Sequence, residues 1–533
     1  MEKTKGQNYM FGAAILTVGV IIMKILGFIY KVPIGNIIGD DGYSMFLATY
    51  NVYNVFLTLA TAGLPIALSR MIAEARSQQR QAQVQRTFSV AWWTLFAVGL
   101  VCSLIMLLFP REIAGGILHN PDAALSIRVM SPSVLLVCLV SAYRGYCQGH
   151  DNMIPTTVGQ VLEVLVKVAV GLVLAGVLVH GGRGKSVGSA GAIFGVTTGS
   201  LAALVYMAIY KARHYRDDPH PADTPDSYGS ILRRFLTIGI PIALGSSAMS
   251  LLNLVDSGLC MGRLQSAAGF HFEEAKVLYG VYGKAQTLFN LPAAFITPLT
   301  ISVVPAVSGA LARRERGEAA KISEDSMRIA SALAMPMGVG LAVLARPIMS
   351  TIYPGSHPSG GALLAMMGIA SVFVCLVLME SAVLQASDHE KLPMIAMIVG
   401  GAVKVIVNYF LVARRDINIY GAPIGTLLSY FVMAAMNYVF LCRALDDKPR
   451  LSAIVGRPLL CAAAMGVTAW GVNTLLARAL GPGWMRMAIA MAVAMLAAVA
   501  VYGVTAILSR CITKADMDMI PGGGRLAKLL HMK

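Results

Sequence analysis

The chain has 533 residues, 56% of them hydrophobic and 13% charged, with a net charge of +16. Soluble domains run about half apolar and about a quarter charged, so this composition excludes an ordinary soluble globule and points to a membrane protein. Lys and Arg cluster in short gaps between apolar runs, which makes the basic surplus a topology signal and excludes a nucleic-acid surface.

Apolar runs of about 20 residues cross a ~30 Å hydrocarbon core as helices. From the N-terminus they predict about fourteen spans, at 9–38, 42–72, 87–109, 124–148, 154–179, 187–210, 231–262, 276–310, 322–350, 360–386, 392–413, 418–442, 452–477 and 484–509. A β-barrel would show short alternating segments instead. The charged N-terminus runs straight into a long apolar segment without a small-residue cleavage site, so it reads as the first helix and not a removed signal. Cation-rich gaps (Arg70–Arg86, Lys211–Arg234, Arg313–Lys321, Arg443–Arg457 and Arg510–Lys533) alternate with poor ones such as Pro110–Asp122 and Tyr353–Gly361. That alternation places both termini in the cytoplasm. The eight cysteines are scattered, with no CxxC or ligand spacing, so no disulfide framework, metal or cofactor is expected.

The two halves repeat each other. Val137-Cys138-Leu139-Val140, Gln148, Asp151 and Pro155 recur as Val374-Cys375-Leu376-Val377, Gln385, Asp388 and Pro393. Val166-Lys167-Val168 recurs as Val403-Lys404-Val405, and Gly191-Ala192 with Gly195 as Gly421-Ala422 with Gly425. Spans 1–6 and 7–12 are therefore two copies of a six-helix unit. Six is even, so the copies are parallel repeats, as in transporters that rock two lobes about a central site. The expected organisation is an N-lobe over 1–217, a C-lobe over 218–446, two extra helices over 447–510 and a cytoplasmic basic tail over 511–533. Lys211–Arg234 is the linker between lobes.

Charges inside spans cost ~2.5–3.5 kcal/mol at mid-helix and usually face a cavity. They are mostly cations here, which suits an anionic ligand. Lys24, Lys31, Arg144, Lys167, Lys284 and Lys404 are the candidate substrate-binding residues; Asp256 and Glu163 are candidates for charge balance or ion coupling. Glu163 and Lys167 stand four apart on one helical face and are placed to pair; Asp256 is a possible neutraliser of Lys404. Pro33, Pro65, Pro292 and Pro305, together with Pro241, interrupt spans and are candidate hinges. No loop is large enough for a catalytic domain, so a membrane glycosyltransferase or other enzyme is not expected.

KILGFIYKVPIGNIIGDDGYSMFLATYNVYNVFLTLATAGLPIALSRMIAEA (Lys24–Ala75), YRGYCQGHDNMIP (Tyr143–Pro155), LLNLVDSGLCMGRL (Leu251–Leu264), LFNLPAAF (Leu288–Phe295), SVVPAVSGAL (Ser302–Leu311) and YGAPIGTLLSY (Tyr420–Tyr430) resemble the SpoVB/YtgP-type polysaccharide biosynthesis proteins. This MurJ-like group belongs to the multidrug/oligosaccharidyl-lipid/polysaccharide exporter superfamily. The resemblance implies an all-α polytopic fold with two six-helix lobes in a MATE/MurJ-like V, plus two C-terminal helices that form a groove for a polyprenyl tail. It implies flipping of an undecaprenyl-pyrophosphate-linked glycan, typically lipid II, across a bacterial cytoplasmic membrane by alternating access. The partners would be that lipid-linked oligosaccharide and membrane lipids, with no nucleic acid, and the protein a monomer. Lys24 stands where the group has the first of several arginines. The alternatives are an exporter of another lipid-linked polysaccharide intermediate, and a MATE-like multidrug/cation antiporter, which calls for twelve spans and embedded acids in excess of cations.

Overall fold

The computed structural model describes residues 2–215, 223–445, 449–509 and 511, and only the backbone of 2–18, 20, 21, 248 and 249. Among the described residues the chain is helical, without a strand. A hydrocarbon core offers no water to backbone N–H and C=O groups, and a helix satisfies them within its own segment. Thirteen helical stretches are long and apolar enough to cross a membrane. The first, Ile22–Ser77, holds two spans, because Gly39 interrupts it with φ +72°, a left-handed conformation that glycine adopts without strain. Counting it twice matches the expected total.

The chain divides into two compact units, Met1–Gly280 and Val281–Lys533. The first contains α1 (Glu2–Thr61), α2 (Leu64–Ser77), α3 (Gln81–Leu108), the short α4 (Pro110–Glu112), α5 (Ala124–Gly149), α6 (Ile154–His180), α7 (Lys185–His214), α8 (Tyr228–Ser266) and the start of α9 (Phe272–Phe289). The second contains the rest of α9, then α10 (Leu291–Ala312), α11 (Arg316–Val343), α12 (Ala345–Ile352), α13 (Gly360–Ala386), α14 (Lys391–Leu411), α15 (Gly421–Ala444), α16 (Arg457–Leu480) and α17 (Trp484–Leu508).

Packing does not divide the chain at 217/218, where the repeat does. Helix α8 belongs by sequence to the second copy, yet it packs on α1, α2 and α3. Glycine allows the approach. A Cβ on Gly63 would stand 2.1 Å from the Gly239 carbonyl oxygen, and one on Gly258 2.0 Å from that of Ile117.

The duplication is also written in the backbone. Asp151 (φ 57°) and Asp388 (φ 61°) end α5 and α13 in the left-handed region, as Gln79 (φ 57°) and Arg314 (φ 62°) end α2 and α10. Each cap returns the next N–H to a helix carbonyl: Asn152 to Cys147 and His389 to Leu384, both at 3.0 Å, Arg80 to Ala75 at 2.9 Å, and Glu315 to Ala310 at 3.0 Å. Such caps satisfy carbonyls that the helix end leaves open. The α6–α7 and α14–α15 crossings match too. A Cβ on Gly195 would stand 2.7 Å from the Lys167 carbonyl oxygen, and one on Gly425 3.3 Å from that of Lys404.

Spans 2 and 8 are broken, and each resumes on a proline, Pro65 in α2 and Pro292 in α10. Proline fits the first turn because no helical acceptor awaits its missing N–H. Pro33, Pro241 and Pro305 lie inside α1, α8 and α10. The interruption of α1 falls at Gly39 and not at Pro33, because a positive φ breaks the hydrogen-bond ladder outright.

Of the expected linker Lys211–Arg234, residues 216–222 lie outside the described residues, as does the tail 511–533 apart from Cys511. The stretch after 222 is fastened to α3. Asp223 accepts from the backbone N–H groups of Ala82 at 2.7 Å and Gln83 at 3.1 Å, so it caps α3 from a distance in sequence. Arg80 adds bonds at 2.9 Å to the Thr224 carbonyl and to Asp226. Partial burial works to raise the Asp223 carboxyl, but the two N–H groups and the Arg80 charge outweigh it and hold it below the usual carboxylate range. A lowered folded value means that the charged cap contributes stability above the unfolded carboxylate value of about 3.9, and loses it only as pH falls through the folded value. Asp223→Ala is expected to cost about 1 kcal/mol and to speed hydrogen exchange at the Ala82 and Gln83 amides. Unchanged exchange at those amides would mean the cap holds nothing.

Candidate functional site

The first unit carries a half-open cavity of about 530 Å3. Three helices line it with polar side chains at helical spacing: Tyr50, Tyr53 and Asn54 from α1, Ser141, Arg144 and Gln148 from α5, and Thr156, Gln160, Glu163 and Lys167 from α6. Residues three and four apart share a face, so each helix presents one polar stripe to the cavity and keeps apolar surface for its neighbours and for lipid.

Helix α7 completes the wall. A Cβ on Gly199 would stand 2.4 Å from the Glu163 carbonyl oxygen, so glycine lets α7 lie close on α6. Ser200 beside it donates to Glu163 Oε1 at 3.2 Å, and Arg144 donates to Oε2 at 2.8 Å. Arg144 and Glu163 are largely buried, their side chains 14% and 19% exposed. The pairing of Glu163 with Lys167 that the sequence predicts is not made. Arg144 reaches across from α5 instead, and its planar fork suits a carboxylate better than an ammonium does. Lys167 Nζ lies 5.7 Å from the centroid of the Tyr30 ring, whose hydroxyl donates to the Ala192 carbonyl at 2.7 Å. Lys31 lies within electrostatic reach of Lys167 and Lys24, so the basic character continues along α1.

Four polar atoms of this wall, Ser141 Oγ, Thr156 Oγ1, Gln160 Oε1 and Arg144 Nε, are buried without a hydrogen-bond partner. An unsatisfied buried polar atom costs ~1–3 kcal/mol. The wall is therefore suited to a polar occupant that completes these bonds.

Of the other candidates, Pro65 lines the cavity, and the remaining charged ones do not. Lys24, Lys31 and Asp256 are in the first unit but do not line it, and Lys284 and Lys404 are in the second. Lys284 is buried with Nζ 5.1 Å from the Tyr353 ring centroid. Lys404 is half-buried on α14. Asp256 is buried on α8, with Cys260 Sγ 3.8 Å from its Oδ1. The second unit carries a different feature, an apolar groove of about 420 Å3 lined by Pro292, Leu333, Met337, Met465, Met495 and Val499 from α10, α11, α16 and α17. Among the described residues no group of three His, Cys, Asp or Glu side chains is placed to hold a metal ion.

Sequence reasoning found the charged members of the cavity and missed the neutral polar ones, Tyr50, Tyr53, Asn54, Thr61, Ser141, Gln148, Thr156 and Gln160. A signal was present on α6, where Thr156, Gln160, Glu163 and Lys167 recur at helical spacing in an otherwise apolar run.

A multi-span helical bundle with a polar cavity in one unit and an apolar groove in the other has the architecture of a membrane transporter. The chain belongs to the polysaccharide biosynthesis protein family, whose pattern matches residues 10–311, with a second pattern of that description over 269–359. It is 27% identical over 98% of its length to the uncharacterized membrane protein YabM of Bacillus subtilis (strain 168), covering 96% of that protein. It is 25% identical to the lipid II flippase MurJ of the same organism, over 81% of this chain and 82% of that one. Its fold is similar to that of a solved lipid II flippase MurJ in an inward closed conformation, with TM-score 0.68, 14% identity, and coverage of 93% of this chain and 98% of that one. It is also similar to an inward-facing multidrug resistance MATE family transporter of the MOP superfamily, with TM-score 0.65, 16% identity, and coverage of 80% and 97%. The expected all-α polytopic fold and the family resemblance both hold.

Proposed function

We propose that this protein flips an undecaprenyl-pyrophosphate-linked cell-wall precursor, lipid II foremost, from the cytoplasmic to the outer leaflet of a bacterial plasma membrane by alternating access. The observation that carries the reading is the polar cavity inside an apolar bundle, lined by Lys167, with Lys31 within electrostatic reach of that lysine. An anionic pyrophosphate gains from that basic field in a low-dielectric site. The apolar groove of the second unit offers the polyprenyl tail a path that stays out of water. The similarity to a protein named a lipid II flippase supports the same substrate class. The positive-inside pattern puts both termini in the cytoplasm. On this reading no covalent step occurs, and a monomer suffices, its lobes 1–217 and 218–446 rocking on the broken spans at Pro65 and Pro292. A MATE-like cation antiporter fits less well, because among the described residues the one acid lining the cavity, Glu163, is already held by Arg144.

The test is reconstitution in liposomes with fluorescent lipid II, beside undecaprenyl pyrophosphate carrying a different glycan. Lipid II is expected to change leaflets quickly, and Lys31→Gln and Lys167→Gln to slow it about tenfold each, the equivalent of ~1.4 kcal/mol. Movement of only the other lipid would keep the mechanism and change the substrate. If neither lipid moved with folded protein under any ion gradient, the reading would fail.

A further inference from the structure

The second unit buries an acid for which the transport path described above has no use. Glu380 lies on α13 and is 4% exposed, flanked on its own helix by Leu376, Met379, Val383 and Leu384 of the apolar core. Its Oε2 has no hydrogen-bond partner, and no basic side chain pairs with it among the described residues. A lone carboxylate is costly to hold in such a place, and the group neutralises by taking up a proton. An acid within a membrane span usually serves an ion or proton path.

The duplication sharpens the contrast. The repeat that sets Val137 against Val374 and Lys167 against Lys404 also sets Arg144 against Ser381 and Glu163 against Gly400. The ion pair of the first copy therefore has no counterpart in the second. Ser381 Oγ accepts from the Asn437 amide of α15 at 3.2 Å, and the Gly400 carbonyl accepts from Ser429 at 2.7 Å. Asn437 Oδ1 is itself buried without a partner. A carboxylate can only accept hydrogen bonds, whereas a protonated carboxyl also brings a donor into this setting.

Helix α13 packs on α10, α11, α12, α14 and α15, and none of them supplies a counter-charge. Helix α10 carries no titratable side chain. Gly338 lies against Gly368 and Ser371, a register that puts the turn around Arg328 of α11 level with Glu380. Arg328 donates instead to the Cys511 carbonyl at 2.7 Å and to Asp325 at 3.1 Å. Arg346 of α12 lies against Gly361, at the other end of α13. On α14, Lys391 is exposed and Lys404 lies within electrostatic reach of Tyr430 of α15. Tyr438 of α15 donates to the Pro449 carbonyl at 2.8 Å, and Cys442 follows one turn later.

We propose that Glu380 is a proton-binding site: its carboxyl holds a proton while α13 lies on α15 as described here, and gives it up when the two helices part. Glu380 stands about 9 Å of helix from the end of α13 at Ala386. On the positive-inside topology that end is cytoplasmic, so the proton exchanges with the cytoplasm. Because the proton binds one conformation and not the other, its concentration shifts the equilibrium between them. A proton gradient can then bias the cycle of the transporter, whatever lipid it carries.

The experiment uses the full chain in nanodiscs without substrate, as the natural protein, Glu380→Gln and Glu380→Met. Thermal unfolding checks that each variant is folded, and either one suffices. Infrared spectra at neutral pH are expected to show a protonated-carboxyl C=O band that both variants lack and that fades at alkaline pH. Hydrogen exchange at the α13 amides near Ala386, corrected for the intrinsic effect of pH, is expected to speed up about tenfold as the band fades. The variants should show no such response. Absence of the band from the natural protein would overturn the proposal. A band with no change in exchange, or with the same change in the variants, would make Glu380 a neutral structural group and overturn it too. A response that follows Na⁺ against K⁺ at fixed pH would replace the proton by a metal cation. Neither readout uses a substrate, so failure of lipid II to move would remove the flippase reading and leave this one standing.

Discussion

Glu163→Leu is expected to destabilise the protein by ~3 kcal/mol, at the lower end of what removing one partner of a buried ion pair costs. The variant leaves the Arg144 guanidinium, 14% exposed, without its 2.8 Å carboxylate partner. It also leaves Arg144 and Lys167 as cations with no acid among the described residues that line the cavity. Glu163→Gln should cost less, since the amide oxygen still accepts from Arg144. The double variant Arg144→Met/Glu163→Leu should regain most of the loss, because neither buried charge then lacks its partner. Thermal and denaturant unfolding in micelles measure all three. A Glu163→Leu protein as stable as the natural one would mean that solvent, and not the carboxylate, supports Arg144.

Gly280→Ala is expected to act through backbone, where no side chain can turn aside. A Cβ at Gly280 would stand 1.7 Å from the Asp40 carbonyl oxygen and 3.2 Å from the Ser44 nitrogen, directly after the bend at Gly39. Helix α9 must then move away from α1. Overpacking of this kind costs typically ~1–3 kcal/mol. Lys276, on the preceding turn of α9, pairs with Asp122 and Glu273 while its own side chain is only 5% exposed. Shifting α9 should pull Lys276 from Asp122 and expose it. The expected signature is a lower unfolding temperature together with faster hydrogen exchange in the first turn of α9. Unaltered stability and exchange would show that the bend at Gly39 absorbs the extra carbon.

Part of the cavity was legible beforehand. Arg144, Glu163 and Lys167 stand out because a charge within a span is costly and needs a reason. Ser141, Thr156 and Gln160 did not stand out. Small hydroxyl and amide residues are common at helix–helix contacts in membranes, so nothing in the local sequence separates a cavity face from a packing face. The partner of Glu163 was also beyond reach. Lys167 is near it in sequence, whereas Arg144 lies on another helix, brought across by packing.

By itself the sequence determined the all-α class, the spans and the duplication. Each of these is local. A helix in hydrocarbon satisfies its own backbone, so hydrophobic length is enough to find it, and a repeated motif such as Gln148–Asp151 and Gln385–Asp388 carries its turn with it. Tertiary structure alone decided that α8 packs in the first unit, that Arg144 and not Lys167 holds Glu163, and that three polar stripes meet in one cavity. Those outcomes depend on how closely helices approach, which glycines at 63, 199 and 258 permit against backbone atoms of distant residues. Helical periodicity says which side chains share a face, and only packing says what that face meets.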